Sequence, residues 1–451
     1  MKLAGSDRNI VVLDIGKTHA KVLLFNTLAS KELLIFQRKN LIINEPPYPH
    51  FDVDALKSFI INALTEIGKS YSVDSIFTST HGACAAFISN EELILPVLDY
   101  EFEGPDTVRP DYDKIRPEFS QTGSPRMDAG LNLGAQIYWL NRTFPSKFAE
   151  VEQILFWPQY WSYWFSGVAC SEISYASSHS DLWDISKNDF IDLEMYGVSS
   201  KVRFPPLKKA WEQIGGLRKE LSDKTGLPEG TPILCGAHDS SVTLASPYLK
   251  RTLPCTMLSS GTWITLFSLG ITNFKFNEQT GLMLTNDCFG NLVPNFRFPA
   301  GKIYQDVLEK ERTAEDDFSL MDWSSIRLVD YASAQKAKFI NSRSSQEIDL
   351  SKFSLASVEK GISTILAQET LNGLDAIDAK GPLIASGPFL HNQNYINCLK
   401  KEFKSLKNVQ NLILLQRSFA VNMMTNKLKL SIRLLLHVHY CQKLRCPWIF
   451  V

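Results

Sequence analysis

No run of 18 apolar residues occurs in the 451-residue sequence, and no apolar core with a small-residue cleavage site stands near its beginning. These absences argue against a transmembrane helix and a secretory leader, so we expect the chain to stay in the cytoplasm. No sign of charge dominates either, since 47 Lys and Arg residues face 48 Asp and Glu residues. A net charge of −1 gives no reason to expect nucleic acid or a membrane as a partner. A small molecule is the better candidate.

The cysteines show neither the density of a disulfide framework nor the paired spacing of a zinc site. The eight residues are Cys84, Cys170, Cys235, Cys255, Cys288, Cys398, Cys441 and Cys446. We expect them to be reduced thiols, most of them in hydrophobic cores.

The length exceeds what one hydrophobic core usually serves, so we expect two or three domains, and two large ones give the simplest division. Residues 9–26 and 31–36 predict an antiparallel meander, and residues 52–68 predict a helix. The aromatic segment 131–167 predicts two helices separated by a Phe-Pro-Ser break. Near residue 250 the chain restarts with a second apolar hairpin around a Gly/Thr turn. We therefore place a boundary there, with domains at 1–249 and 250–451.

The first candidate motif, at 14–21, joins a strand-end carboxylate to a glycine turn and a lysine. Gly16 lets backbone N–H groups approach a phosphate, Asp14 can bind water on Mg²⁺, and Lys21 adds positive charge. Its Gly-Lys-Thr triplet is not a P-loop, because that motif needs a glycine where Val11 stands. An ordinary hairpin turn is the alternative.

Three further motifs carry polar groups at turns. His81 and Gly82 follow a strand and can contact substrate hydroxyl groups, or His81 can simply be satisfied in the core or at the surface. Asp239 stands between a strand and a helix, where it can act as a general base or as a helix N-cap. The small residues at 259–262 can present donors to phosphates or form a tight turn.

The order and spacing of the four motifs resemble the FGGY carbohydrate kinases. Residues 14–21 and 259–262 are similar to the family's two phosphate motifs, and residues 80–82 to its sugar-binding loop. The resemblance runs from about residue 9 to about residue 400 and also covers the Ser/Ala-rich segment 172–184. It implies an α/β protein in which two ribonuclease H-like, actin-like domains flank a cleft. The N-terminal domain would bind the sugar and supply the base, and the C-terminal domain would bind ATP.

The resemblance also implies roles for individual residues. Asp239 is the expected general base, and Asp14 and Asp239 are the expected carboxylates at Mg²⁺. The expected substrate contacts are His81, Gly82, His238 and Asp239. The expected contacts to ATP are Asp14, Gly16, Lys17, Thr18, Lys21, Gly261, Thr262, Gly387 and Asn392. Residues 99–101 occupy a stretch where the family places polar sugar contacts, and the sequence does not decide which of them faces the cleft.

The end of the sequence departs from the family. No glycine follows Gly387 and no acidic residue follows Glu402, although the family's closing segment normally carries a Gly/Ala-rich turn and helix. Our hypothesis is that about 416–451 is an aberrant terminus, as a reading-frame change would produce, and that it weakens ATP binding. A basic amphipathic helix is an alternative. Another is a metal site, with possible ligands at His437, His439, Cys441 and Cys446, whose spacing fits no common zinc pattern.

The predicted function is ATP-dependent phosphorylation of a hydroxyl group of a small sugar or polyol. Fuculose, rhamnulose, xylulose and ribulose all fit the motifs. One alternative is a kinase of the same family that acts on a sugar acid or a signalling molecule. Another is a catalytically impaired, actin-like sugar-binding protein. The resemblance also implies a homodimer as one assembly state.

Overall fold

The computed structural model describes residues 8–29, 31–250, 252–271, 282–311, 322–330, 337–403 and 409–414. The tail at about 416–451, with its histidine and cysteine residues, lies outside this part of the chain. The described residues divide into two compact units. The first contains the residues up to Leu249 together with Thr285–Leu292, and the second contains Lys250–Leu284 and the residues from Val293 onward.

The first unit is built on a seven-stranded sheet. Its strands and small hairpins are β1 Asn9–Ile15, β2 His19–Asn26, β3 Lys31–Lys39, β4 Ile42–Ile43, β5 His50–Phe51, β6 Ser75–Thr80, β7 Ala85–Ser89, β8 Glu92–Leu95, β9 Gln153–Phe156, β10 Trp183–Asp184, β11 Asp189–Phe190, β12 Gln213–Gly216, β13 Pro232–Leu234 and β14 Ala237–His238. Its helices are α1 Val53–Gly68, α2 Arg109–Tyr112, α3 Phe119–Thr122, α4 Leu133–Thr143, α5 Pro145–Phe148, α6 Trp157–Ser166, α7 Ile173–Ala176, α8 Lys219–Thr225, α9 Asp239–Thr243 and α10 Ala245–Lys250. The strand order in the sheet is β12-β13-β6-β1-β2-β3, with β14 also beside β6.

Strand β1 is the buried centre of this sheet. It pairs antiparallel with β2 and parallel with β6, and β2 pairs antiparallel with β3. Alternate side chains of β1 enter different cores: Val11 and Leu13 join the cluster that also holds α1, whereas Ile10 and Val12 join a second cluster around Trp211. A strand covered on both faces needs a nearly continuous apolar run, which is what residues 9–15 supply.

Helix α1 follows from its cap and its apolar spacing. The Asp52 side chain accepts a hydrogen bond from Ala55 N at 3.0 Å, which satisfies one of the free donors of the first turn. Leu56, Ile60 and Leu64 recur at the spacing of one helical face and are buried. The predicted meander and the predicted helix are both confirmed.

The aromatic segment differs from the prediction in one respect. Between α4 and α6 the chain forms the short strand β9, which pairs with β7. The sequence does not predict this strand, because a segment of four residues between two helical patterns is too short to show the alternation of a strand.

The second unit repeats the plan of the first. Its elements are β15 Cys255–Ser260, β16 Ile264–Leu269, β17 Leu282–Asn286, β18 Leu292–Phe298, α11 Ala300–Glu309, β19 Ile326–Val329, β20 Lys338–Asn341, α12 Leu355–Ala376, β21 Gly381–Ser386, α13 Gln393–Phe403 and β22 Val409–Leu414. The sheet order is β17-β18-β16-β15-β21-β22. An antiparallel meander of three strands is followed by two parallel strands, as in the order β3-β2-β1-β6-β13 of the first unit. The repeated order agrees with the second apolar hairpin expected near residue 250.

Helix α12 provides the core of the second unit. Val358, Ile362 and Leu366 are fully buried along one face and belong to the same cluster as Leu258 of β15 and Leu383 of β21. None of the helices in the described ranges has the length and apolarity needed to cross a bilayer. All six cysteines that the structure describes are free thiols, and five of them are buried.

The hairpin tip Thr285–Leu292 is part of the first unit, although β17 and β18 on either side of it belong to the second sheet. Asn286 N donates to Ser177 Oγ at 2.7 Å. The Phe289 ring lies 5.3 Å from Trp211 and 4.9 Å from Tyr248, measured between ring centroids. The tip therefore completes the second core of the first unit.

A buried carboxyl group lies beside this tip. Glu172 is fully buried and caps α7, where its Oε2 accepts hydrogen bonds from Tyr175 N at 3.2 Å and from Ser174 Oγ at 2.6 Å. Burial, with a further contribution from the charge of Asp287, raises the pKa of Glu172 from its ordinary 4.5 to about 7. Compared with the unfolded chain, the folded protein therefore favours the protonated form of Glu172.

We expect Glu172→Gln to make the protein less sensitive to alkaline pH. Because the folded pKa lies above the unfolded value, the stabilisation from this proton is complete below about pH 4.5 and is lost as the pH rises through about 7. The amide keeps the caps without a charge, so the variant should gain up to about 3 kcal/mol over the parent between pH 5 and pH 8. Chemical denaturation at both pH values measures this gain. Glu66→Gln, at an exposed ion pair, is the control and should shift stability by less than about 0.5 kcal/mol. Equal pH dependence of parent and Glu172→Gln would contradict the assignment.

Candidate active site

Three neighbouring parallel strands of the first unit end at one edge of the sheet. In register, Asp14 lies opposite Ser79, Ile15 opposite Thr80, and His238 opposite Thr80 on the other side of β6. Because the carboxyl ends of parallel strands share an edge, residues that follow β1, β6 and β14 come together. The edge thus unites Asp14, His81 and Asp239, which are far apart in the sequence.

Asp14 lies opposite Lys21 in the β1–β2 hairpin. The Lys21 ammonium is 3.7 Å from Asp14 Oδ2. Burial raises the pKa of Asp14 to about 6, Lys21 opposes this rise, and the negative charge of Asp239 adds to it. The two carboxylates therefore lie close enough to repel each other.

Asp239 is the first residue of α9, and His238 occupies the cap position before it. The N-cap interpretation of Asp239 is therefore wrong. Asp239 Oδ1 accepts hydrogen bonds from Ser240 N at 2.5 Å and Ser240 Oγ at 3.2 Å, and His238 Nε2 lies 3.4 Å from it. Burial raises the pKa of Asp239 to about 6. The side chain nevertheless keeps 37% of its surface exposed, so the carboxylate is recessed yet open to solvent.

His81 presents a free hydrogen-bond acceptor. Its backbone N–H donates to Ile15 O at 2.9 Å, and its ring lies between Phe51 and Tyr100, with centroids 5.2 Å and 5.5 Å away. Nδ1 must donate to the carbonyl of Gly82, 2.9 Å away, so Nε2 carries the lone pair. Nε2 is buried and has no partner within the described part of the chain. Burial lowers the pKa of His81 to about 4, which keeps the ring neutral at pH 7.

Gly82 allows two imidazole rings to approach the end of β6. A Cβ at this position would lie 2.9 Å from His238 Nε2 and 3.3 Å from His179 Nε2. His179 was not among the predicted site residues. Its Nδ1 donates to Leu131 O at 2.6 Å, which directs Nε2 towards Gly82. The signal was present in the Ser/Ala-rich segment, where His179 is the single ionisable imidazole.

The turn 16–18 has the shape expected of a phosphate loop. Gly16 N donates to His19 O at 2.9 Å, and Thr18 is exposed. Asn40, which the sequence analysis did not single out, holds the turn from the end of β3: its backbone N–H donates to Thr18 O and its Nδ2 to Gly16 O, both at 2.9 Å. Gly16 and Thr18 remain open to a ligand.

The side chain of Lys17 makes its contacts outside the turn 16–18. Its ammonium forms an ion pair with Asp99 and lies 3.4 Å from Glu101 Oε2. It also lies over the rings of Tyr100 and Phe51, 4.7 Å and 5.3 Å from their centroids. Lys17 therefore contacts residues 99–101 and the two aromatic rings beside His81, whereas the sequence predicted a contact with phosphate.

The second unit has an equivalent edge. In the turn after β15, Gly261 N donates to Trp263 O at 2.8 Å, and Thr262 is exposed, as in the turn 16–18. Strand β21 runs parallel to β15 and ends beside it, with Ser386 opposite Ser259. Gly387 follows at a φ of +113°, where a Cβ would lie 1.8 Å from Ser260 O. This crossing of two chain segments requires glycine.

Asn392 has a structural role in the second unit. Its Oδ1 accepts a hydrogen bond from Tyr395 N at 3.0 Å and caps α13, and its Nδ2 donates to Ser363 Oγ at 3.0 Å. The predicted contact with ATP stays a prediction. Such a contact would have to use the hydrogen-bonding capacity of Asn392 that these two bonds leave available.

Family models match both halves of the chain. The model of the N-terminal domain of the FGGY family of carbohydrate kinases matches residues 119–246, and that of the C-terminal domain matches residues 252–413. The chain belongs to the FGGY family of carbohydrate kinases. The resemblance proposed from the four motifs is thereby confirmed.

Individual FGGY relatives are distant. L-fuculokinase of Escherichia coli K12 is 22% identical over 330 residues, which is 69% of this chain and 68% of that protein. A rhamnulokinase of Bacteroides thetaiotaomicron is 27% identical over 57% of this chain and 54% of its own.

Solved structures of the family support the fold. A carbohydrate kinase from Novosphingobium aromaticivorans has a TM-score of 0.75 at 24% identity, with 94% of this chain and 91% of that one covered. Plasmodium falciparum glycerol kinase with ADP has a TM-score of 0.68 at 12% identity, with 98% and 91% covered. The two-domain, actin-like α/β fold is confirmed, and the identities are too low to carry a substrate across.

Gly387→Ala and Gly261→Ala should separate a structural glycine from an open one. At Gly387 the added methyl group meets Ser260 O at 1.8 Å in a left-handed conformation, so the backbone must move, at a cost of about 3 kcal/mol or more. At Gly261 a Cβ meets no atom within 4 Å, so the cost should stay below about 0.5 kcal/mol. Chemical denaturation measures both. Equal losses in the two variants would contradict this account of Gly387.

Proposed function

We propose that this FGGY protein transfers the γ-phosphoryl group of ATP to a hydroxyl group of a small neutral sugar or polyol, with Asp239 as the general base. The observation that carries the proposal is the convergence of Asp14, His81 and Asp239 at the carboxyl ends of β1, β6 and β14. These groups supply a carboxylate for the metal, an acceptor for the sugar and a base. The cleft between the two domains stays a prediction.

Asp239 takes the proton of the attacking hydroxyl group. As the new O–P bond forms, the bond to the leaving oxygen of ADP breaks and the hydroxyl proton passes to an Asp239 oxygen. A pKa of about 6 leaves Asp239 mostly ionised at pH 7 and close to the working pH, where a general base is most effective. The free face of the carboxylate, shown by its 37% exposure, supports this role.

His81 and Gly82 bind the sugar. Nε2 of the neutral His81 accepts a hydrogen bond from a sugar hydroxyl group, and this bond replaces the missing partner of a buried acceptor. The Tyr100 ring beside it offers an apolar face to the C–H groups of a sugar. His238 approaches Gly82 from the side of Asp239, so it contacts the sugar near the reacting hydroxyl group.

The phosphates of ATP are bound by the two equivalent turns. Thr18 in the first unit and Thr262 in the second are exposed and can donate from their hydroxyl groups, and Lys21 adds charge beside Asp14. Gly16 and Gly261 would let the phosphates come close to the two turns. Gly387 lets the chain pass close to Ser260 at the same edge as Gly261.

Asp14 and Asp239 fit a Mg²⁺ ion. The pKa of Asp14 is raised first by burial and further by the charge of Asp239, and a cation next to the two carboxylates would offset both effects. No group of three or more potential metal ligands occurs among the described residues, which suits Mg²⁺, an ion held by one or two carboxylates, water and phosphate oxygens. When bound, the ion neutralises charge on the phosphates.

The charges of the site favour a neutral substrate. Lys17 is already balanced by Asp99 and Glu101, and Lys21 by Asp14. Of the described residues, Lys17 and Lys21 are the cations placed at this edge above, and both already face carboxylates that a sugar acid would have to compete with. The relatives named fuculokinase and rhamnulokinase add support for a ketose, with fuculose and rhamnulose first in a panel that also includes xylulose, ribulose and polyols.

Asp239→Asn should lower turnover by about 10²- to 10⁴-fold while ADP still binds. The measurement is ADP release with MgATP against a panel of ketoses, aldoses, polyols and sugar acids, with calorimetry for ADP. Asp223→Asn, at an exposed ion pair of α8, is the matched control. Unchanged turnover in Asp239→Asn would remove Asp239 as the base. If the folded parent binds sugar but is silent with every substrate, the catalytically impaired sugar-binding protein becomes the better description.

The pH profile should show a base with a pKa near 6. Because protonated Asp239 cannot accept the substrate proton, kcat/KM should fall about tenfold per pH unit below about pH 6 and level off above it. The profile is measured with both substrates limiting. A flat profile down to pH 5 would contradict the role of this carboxylate.

A further inference from the structure

Lys17 stands in the turn between β1 and β2 but points away from the neighbours that would bind phosphate. Its ammonium pairs with Asp99, 82 residues further along the chain, and lies over Tyr100 and Phe51. The side chain is 19% exposed. This is a fixed position, not that of a lysine free in solvent.

Several contacts hold this arrangement. The Asp99 side chain is 11% exposed, and its backbone N–H donates to Pro49 O at 2.9 Å. Asp99 Oδ1 also accepts a hydrogen bond from Glu101 N at 3.2 Å. To reach a phosphate, Lys17 would have to give up a charge-assisted hydrogen bond and two cation–π contacts, and would leave a largely buried carboxylate unpaired.

The group retains hydrogen-bonding capacity towards a ligand. An ammonium has three N–H donors, of which Asp99 takes one. All hydrogen bonds of the Asp99 carboxylate with described residues fall on Oδ1, so Oδ2 can accept another. His81 Nε2, more than nine-tenths buried and without a partner in the described chain, adds a second acceptor. The His81 ring and the Lys17 ammonium both lie against the rings of Phe51 and Tyr100, and Asp99 pairs with Lys17, which places the three groups together.

A donor beside acceptors, over aromatic rings, matches the chemistry of adjacent hydroxyl groups on a carbon chain. Each hydroxyl group can donate one hydrogen bond and accept others, while the C–H bonds between them rest on the ring of Tyr100. A phosphate has no proton to offer Asp99 or His81. The local chemistry therefore favours a polyhydroxylated carbon chain over ATP.

We propose that Lys17 and Asp99 together bind two neighbouring hydroxyl groups of the sugar, and that Lys17 determines sugar specificity instead of contacting ATP. This inference rests on the proposed function, because it assigns a further part of the same sugar site. Lys17 donates to one hydroxyl group and Asp99 accepts from the next. A sugar that lacks one of the two hydroxyl groups should bind more weakly.

The test compares Lys17→Met with the parent in three measurements. We expect KM for the best sugar of the panel to rise at least about tenfold, because a hydrogen bond to a charged group is lost. KM for MgATP and the dissociation constant of ADP in calorimetry should stay within about twofold. Lys57→Met is the matched control, since Lys57 also lies over a tyrosine ring, 5.8 Å from the centroid of Tyr160, and should leave all three values unchanged.

A second variant removes the unpaired charge that Lys17→Met leaves behind. In Lys17→Met with Asp99→Asn the largely buried carboxylate is gone, and the one carboxylate that still loses its contact with Lys17 is the exposed Glu101. The double variant should therefore fold even if the single one does not. It should still show the raised KM for the sugar. Weaker ADP binding with an unchanged KM for the sugar, in either variant, would overturn the inference and return Lys17 to the phosphate loop.

Direct sugar binding separates this inference from the kinase proposal. If the parent shows no turnover but binds a ketose in calorimetry, and the binding weakens at least about tenfold in Lys17→Met, the kinase proposal fails and the inference holds. If the parent turns over a sugar and both Lys17 variants keep its KM, the kinase proposal holds and the inference fails. If the parent binds no sugar, both fail.

Discussion

The parallel pairing of β6 with β1 on one side and with β14 on the other is the constraint on which the site depends. Every residue of β6 is buried, as expected of a central strand that is covered on both faces. Side chains that follow three neighbouring parallel strands therefore meet at one edge of the sheet. A shift of β14 by one residue would turn His238 and Asp239 to the opposite face and leave Asp14 without its companion.

This edge holds a concentration of groups that a folding chain would otherwise separate. Burial raises the pKa of both Asp14 and Asp239, and the charge of Asp239 adds to the rise at Asp14. His81 keeps a buried acceptor without a partner in the described chain. Neither feature stabilises the fold. Under the proposed function, a cation would offset the first and a sugar hydroxyl group would satisfy the second. The cores on both sides of β1 supply the stability that tolerates them.

Local patterns predicted the elements better than the site. The meander and α1 follow from strand alternation and helical spacing, whereas β9 is too short to carry a period. The roles of Asp239 and His81 came from the resemblance, since each motif alone also described an ordinary turn or cap. The contacts of Lys17 could not be predicted from its neighbours in the sequence, because its partner Asp99 is 82 residues away and Gly-Lys-Thr suggests phosphate. Tertiary contacts decide where such an ammonium group lies.

The tip Thr285–Leu292 bears on how such a protein can change over evolutionary time. The two sheets repeat one strand order, which suggests that a cut near residue 250 separates two exchangeable halves. Such a cut would remove Cys288 and Phe289 from the first core and uncover Trp211. Recombination between distant relatives at that point would therefore produce chimaeras with a mismatched core. An exchange of either half would have to preserve the fit of Phe289 against Trp211 and Tyr248.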